Sequence, residues 1–100
     1  MIRGTTPTFT LTIKDPSIDL TQARSVYVSL KQGDTVTTKT GEDLNVTAQT
    51  VECYLTHEES LRYSVGSASI QLNWTYQDTD GSIKRAATEA KAISIKKQIL

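Results

Sequence analysis

The side chains able to do chemistry are few and poorly placed for it. His57 is the only histidine and Cys53 the only cysteine. A thiol nucleophile needs a base within hydrogen-bonding reach, and His57 is the one histidine that could serve. Cys53 alternates with Val51 and Leu55, which turns its sulfur into an apolar layer, while His57 lies beyond the end of that segment. Burial among aliphatic neighbours raises a thiol pKa and leaves the group inert. Asp78-Thr79-Asp80-Gly81 starts like a calcium loop, with Glu89 at the twelfth position from Asp78. An EF-hand also needs intervening ligands and a helix on each side, and the helices are absent here. Turn chemistry accounts for both aspartates. Glu58 and Glu59 are adjacent, whereas glycoside hydrolysis needs two carboxylates facing each other across a bond. A lone cysteine excludes an intramolecular disulfide and a cysteine-based metal set. No enzyme activity, catalytic residue, metal or cofactor is expected.

Asn45-Val46-Thr47 and Asn73-Trp74-Thr75 match the glycosylation pattern. Asn73 falls in the middle of a strand pattern, and Met1 to Pro7 has no apolar run of the secretory type, so both are read as chance matches. Tyr27 and Tyr54 are better candidates for a role. Each falls on the face opposite the apolar residues of its segment, and exposed tyrosines are enriched at binding surfaces. If one sheet carries both, they form a contact patch. Ile99 and Leu100 lie past the last apolar-alternating segment and gain nothing there unless something covers them. Tyr27, Tyr54, Ile99 and Leu100 are therefore the expected protein-contact residues.

The elements that carry these residues read as strands. Phe9, Leu11 and Ile13 alternate with Thr8, Thr10, Thr12 and Lys14, the period of a half-buried strand, and Asp15-Pro16 stops it. Asp19 to Gln22 is a loop or short turn. From Arg24 to Lys31, Val26, Val28 and Leu30 share a face, and Gln32-Gly33-Asp34 turns the chain into Thr35 to Thr40. That partner is polar on both faces, which marks an edge or projecting strand. Gly41-Glu42-Asp43 turns again, Leu44 and Val46 form a short weak strand, and Thr50 to Leu55 a stronger one. Thr56-His57-Glu58-Glu59 is a capping box that predicts one helical turn to about Arg62. Ala68, Ile70, Leu72, Trp74 and Tyr76 line the inner face of the clearest strand, Ala68 to Gln77. Asp78 to Gly81 closes a hairpin, and Ser82 to Ile95 returns as one long strand with a bulge near Thr88–Glu89. Phe9, Trp74 and the Leu, Ile and Val residues are the expected core.

Composition agrees with this pattern. Threonine, a β-branched residue that favours strands, supplies 16 of 100 residues. That length fits one domain spanning residues 1–100. Eleven basic and eleven acidic residues leave a net charge of zero and no basic block, so no nucleic-acid partner is expected. No apolar run approaches the length of a membrane span. The single cysteine fits a reducing compartment, so synthesis in a cytoplasm is expected. Seven or eight short strands with one helical turn predict an all-β, immunoglobulin-like antiparallel sandwich.

Three stretches carry a resemblance to a known family. Met1-Ile2-Arg3-Gly4-Thr5-Thr6-Pro7-Thr8 looks like the start of small prophage proteins. Val51 to Tyr63, with Leu55-Thr56-His57-Glu58-Glu59-Ser60-Leu61, looks like their strand followed by a Leu-Thr-x-Glu-Glu/Asp-x-Leu turn. Ile70-Gln71-Leu72-Asn73-Trp74, Asp80-Gly81 and Ile93-Ser94-Ile95 look like their final hairpin. The chain thus resembles small phage proteins and the N-terminal domain of phage baseplate upper proteins from Gram-positive hosts. The resemblance implies an immunoglobulin-like sandwich and a scaffolding role in the virion, as a tail, baseplate or capsid accessory protein. It brings no catalytic residues. Its implied partners are other virion proteins, with this chain a homo-oligomer or lattice subunit made in the bacterial host cytoplasm. The chain departs from antibody-type domains in lacking the cysteine pair and in placing Trp74 on a late strand. A carbohydrate-binding or adhesin-type sandwich is the alternative, since fold does not fix function.

Overall fold

The computed structural model describes residues 1–99. In chain order its strands are β1 (Thr8–Thr12), β2 (Ser25–Gln32), β3 (Thr35–Thr40), β4 (Asn45–Val46), β5 (Thr50–Tyr54), β6 (Gly66–Gln77), β7 (Ile83–Ala87) and β8 (Lys91–Ile95). One α-helical turn, α1 (His57–Leu61), lies between β5 and β6. Two 3-10 turns, Leu20–Gln22 and Gly41–Asp43, add to the single helical turn that the sequence predicts. The Asp19 carboxylate caps the first by accepting from the Thr21 amide at 3.0 Å.

The strands form two antiparallel sheets. The first has the order β1-β5-β4; the second has the order β3-β2-β6-β7, with β8 also on β6. This is an immunoglobulin-like arrangement, with β2 and β6 central in one sheet and β5 central in the other. Alternation explains the packing. Leu11, Val51 and Cys53 point inward from the first sheet; Val28, Leu30, Ala68, Ile70, Leu72 and Trp74 point inward from the second, and all are buried in one cluster. Ile13, Leu20, Leu55, Tyr63 and Ile95 extend it. Phe9, expected in the core, is only half-buried, near the start of β1, whereas Leu11 further along the same strand is buried.

Two turns require glycine. Gly33 joins β2 to β3 with φ +56° and Gly81 closes the β6–β7 hairpin with φ +85°, conformations costly to any residue with a Cβ. Asp80 braces the second turn by accepting from the Ser82 amide at 2.8 Å and from the Ser82 hydroxyl.

The returning segment is two strands, β7 and β8, rather than the single long strand expected, and the interruption falls where a bulge was expected. Asn73 pairs with Ala87, and Ile70 pairs with Lys91. Between those pairs β6 advances three residues while its partner advances four, so one extra residue is accommodated at Thr88–Ala90. Thr88 fills the break: its amide donates to the Leu72 carbonyl at 3.0 Å and its hydroxyl accepts from the Leu72 amide at 3.2 Å. At the far end of β8, Ile2 forms a parallel bridge with Lys96. No helix among the described residues is long and apolar enough to cross a membrane.

Candidate functional site

Cys53 faces the core from β5 and is buried, and that burial pushes its thiol pKa up. His57 is exposed at the first position of α1. The β5 strand therefore turns the thiol inward while the imidazole faces solvent. Asp78 accepts from the Thr79 amide at 2.8 Å, and the hydroxyl and amide of Ser82 hold the Asp80 carboxyl below its ordinary pKa. No group of three or more metal-ligating side chains occurs among the described residues. Glu58 is exposed, whereas Glu59 serves the capping box.

The two tyrosines do not form one patch. Tyr27 pairs with Asn73 and Thr40 on the outer face of the second sheet, whereas Tyr54 pairs with Thr8 on the outer face of the first. Strand order separates them, and strand order is not encoded in either strand's own alternation. Tyr27 is half-buried, with the Arg85 guanidinium 5.3 Å from its ring centroid. Tyr54 is 55% exposed, with the Lys39 ammonium 5.9 Å from its ring. Ile99 is 96% exposed, free of its own domain. The fourth expected contact residue, Leu100, lies outside the described residues.

Sequence reasoning passed over a polar corner beneath α1. Thr37 and Lys39 alternate on the inward face of β3 and are buried, so this strand is polar inside as well as out. Tyr63, just after α1, is 1% exposed. Its hydroxyl donates to the Leu30 carbonyl at 2.9 Å and shares a 2.8 Å hydrogen bond with the Thr37 hydroxyl. Having one proton, it accepts from Thr37 when it donates to Leu30. Burial raises the Tyr63 pKa, which keeps the hydroxyl protonated. Next to it, Lys39 donates to Glu59 Oε1, which also accepts from the Thr56 amide at 2.8 Å. Burial pulls the Glu59 pKa upward, but the hydrogen bonds from Lys39 and Thr56 outweigh it and hold the carboxyl below its ordinary value. The N-terminal segment clamps the same turn. Arg3 donates to the Tyr63 carbonyl at 2.7 Å and to the Leu61 carbonyl at 3.0 Å, and the Gly4 amide donates to the buried Ser60 hydroxyl. Polarity alone does not reveal this corner, because Lys39 meets its carboxylate only through a contact twenty residues away in sequence.

Two open grooves lie at the other end of the sandwich. The larger, about 660 Å³, is lined by Ile18, Ala23, Arg24, Trp74, Tyr76 and Ala86 among others. Trp74 is buried at its floor, while Tyr76, the next inward position on β6, is 39% exposed. The sequence expects Tyr76 on the inner face; it continues that alternation but lines the open groove instead of being covered. The smaller groove, about 480 Å³, runs past Leu20, Val26, Tyr27 and Leu44. An aromatic wall beside Arg24 and Gln77 can stack on a flat ligand and hydrogen-bond to it. Tyr54, Val36 and Ile83, on separate strands, and Ile99 in the tail are exposed apolar side chains. Comparison with protein-family models, curated proteins and solved structures finds no match to this chain.

Proposed function

We propose that the chain is a non-enzymatic structural module of a bacteriophage or prophage particle, a tail, baseplate or capsid accessory protein acting through protein contacts with other virion proteins. The reading is carried by the resemblance of Val51–Tyr63 to the strand-and-turn segment of small phage proteins. In this chain that segment supplies Thr56 and Glu59 to the corner that meets Lys39 of β3. Apolar side chains project singly from strands, the hairpin and the tail, as suits a part held by several neighbours. Mass spectrometry of purified particles from a host carrying the gene tests this directly. The protein should be present at a stoichiometry fixed from one preparation to the next. Its absence from particles whose other tail and capsid proteins are detected would remove the reading.

One observation favours the alternative, a carbohydrate-binding or adhesin-type module: the groove beside Tyr76, which gives a sugar ring an aromatic wall. A glycan array decides it. Binding that disappears in Tyr76→Ala supports the alternative, and the absence of any bound glycan rules against it.

A further inference from the structure

The net charge of zero conceals a separation of charge across the second sheet. At one edge, the turn after β3 carries Glu42 and Asp43; at the other edge, β7 carries Lys84 and Arg85. The register sets the strand ends next to these pairs at one height. Thr40 pairs with Tyr27, Tyr27 with Asn73, and Asn73 with Ala87, so Thr40 and Ala87 lie level on opposite edges. Glu42 and Asp43 follow Thr40 in the 3-10 turn, and Arg85 and Lys84 precede Ala87 on β7. All four side chains are exposed, and none is in an ion pair, the pair among the described residues being Lys39 with Glu59. The Arg85 guanidinium lies over Tyr27.

Strand direction is also suitable. Each neighbouring pair from β3 through β2 and β6 to β7 is antiparallel, so β3 and β7 run in opposite directions. A second copy displaced sideways across the sheet would lay its β7 antiparallel to β3 of the first. Neither strand contains proline, and both are terminal in the sheet.

We propose that copies of this chain associate head to tail, the β7 edge of one against the β3 edge of the next, with Lys84 and Arg85 meeting Glu42 and Asp43. A two-fold pairing of like edges would set acid against acid or base against base. The head-to-tail contact instead joins unlike patches, leaves one of each free, and extends into a row or ring of copies. It stands whether or not the chain enters a particle.

Sedimentation velocity on the full chain tests it at about 20 mM and about 300 mM salt, where screening differs several-fold in range. At low salt the average mass should climb continuously with concentration; at high salt it should return to the monomer. The double variants Lys84→Glu/Arg85→Glu and Glu42→Lys/Asp43→Lys should each stay monomeric alone, and mixing them should restore association, because every acidic edge then meets a basic one. Lys84→Glu alone, an exposed side chain with no hydrogen bond to lose, should weaken association at least about tenfold. A wild-type chain that stays monomeric at low salt would overturn the proposal. So would charge-reversed variants that associate as the wild type does, or a closed dimer indifferent to salt.

Discussion

Lys39 points into the sandwich from an edge strand, and Glu59 meets it with the same oxygen that accepts the Thr56 amide. One carboxylate thus closes the cap of α1 and neutralises an inward lysine.

Glu59→Gln should destabilise the fold by about 1–3 kcal/mol, since it leaves a mostly buried ammonium without its counter-charge. The folded pKa of Glu59 lies below its ordinary value of 4.5. Its contribution is therefore complete above that ordinary value and is lost as pH falls through the lowered one. Urea titrations from neutral pH down to about pH 3 should show wild-type stability falling toward that of Glu59→Gln. A constant gap between the two would contradict this account.

Tyr63→Phe isolates one hydroxyl. The variant keeps the buried ring but leaves the Leu30 carbonyl and Thr37 hydroxyl without it. A loss of about 1–2 kcal/mol is expected, against about 3–5 kcal/mol for Tyr63→Ala, which also opens a cavity. Thermal unfolding of the two variants side by side gives the comparison.

The Cys53 thiol should be silent in the native state. Burial both blocks access and raises its pKa. Labelling with a disulfide reagent at pH 8 should proceed only as fast as the protein opens, and should become immediate in denaturant. Fast labelling of the folded protein would place the sulfur at the surface.

Ile99→Ala should change stability by less than about 0.5 kcal/mol, because the side chain is 96% exposed. Particle entry is the discriminating readout. Normal stability with reduced incorporation would assign Ile99 to a contact with another chain; normal values of both would leave it without a role there.

Much of the fold was legible because alternation is a local signal. Five apolar residues from Ala68 to Tyr76 put β6 in register, and Thr56 with Glu59 announced α1 before any tertiary contact was known. The extra residue at Thr88–Ala90 was legible as a break in the same alternation. What alternation does not carry is which strands share a sheet. Tyr27 and Tyr54 both read as outward, and only the pairing of β2 with β6 and of β5 with β1 shows that they face away from each other. Lys39 was illegible for a different reason. Its burial depends on a carboxylate twenty residues away in sequence, and polarity alone reads such a strand as wet on both sides.

The central place of β6 has a consequence for how the protein is made. All three strands of the first sheet are complete by Tyr54, but β6 begins only at Gly66. During synthesis β2 and β3 are already present, but the second sheet lacks its central β6, so the core around Leu11, Val51 and Cys53 stays incomplete. The pairing of Asn73 with Tyr27 closes a long loop, and such non-local closure belongs to the slow class of folding, in milliseconds to seconds. A nascent chain stalled between Leu55 and Gly66 would carry the first sheet and only the β2–β3 edge of the second, an incomplete core open to capture by a chaperone or by another chain like itself.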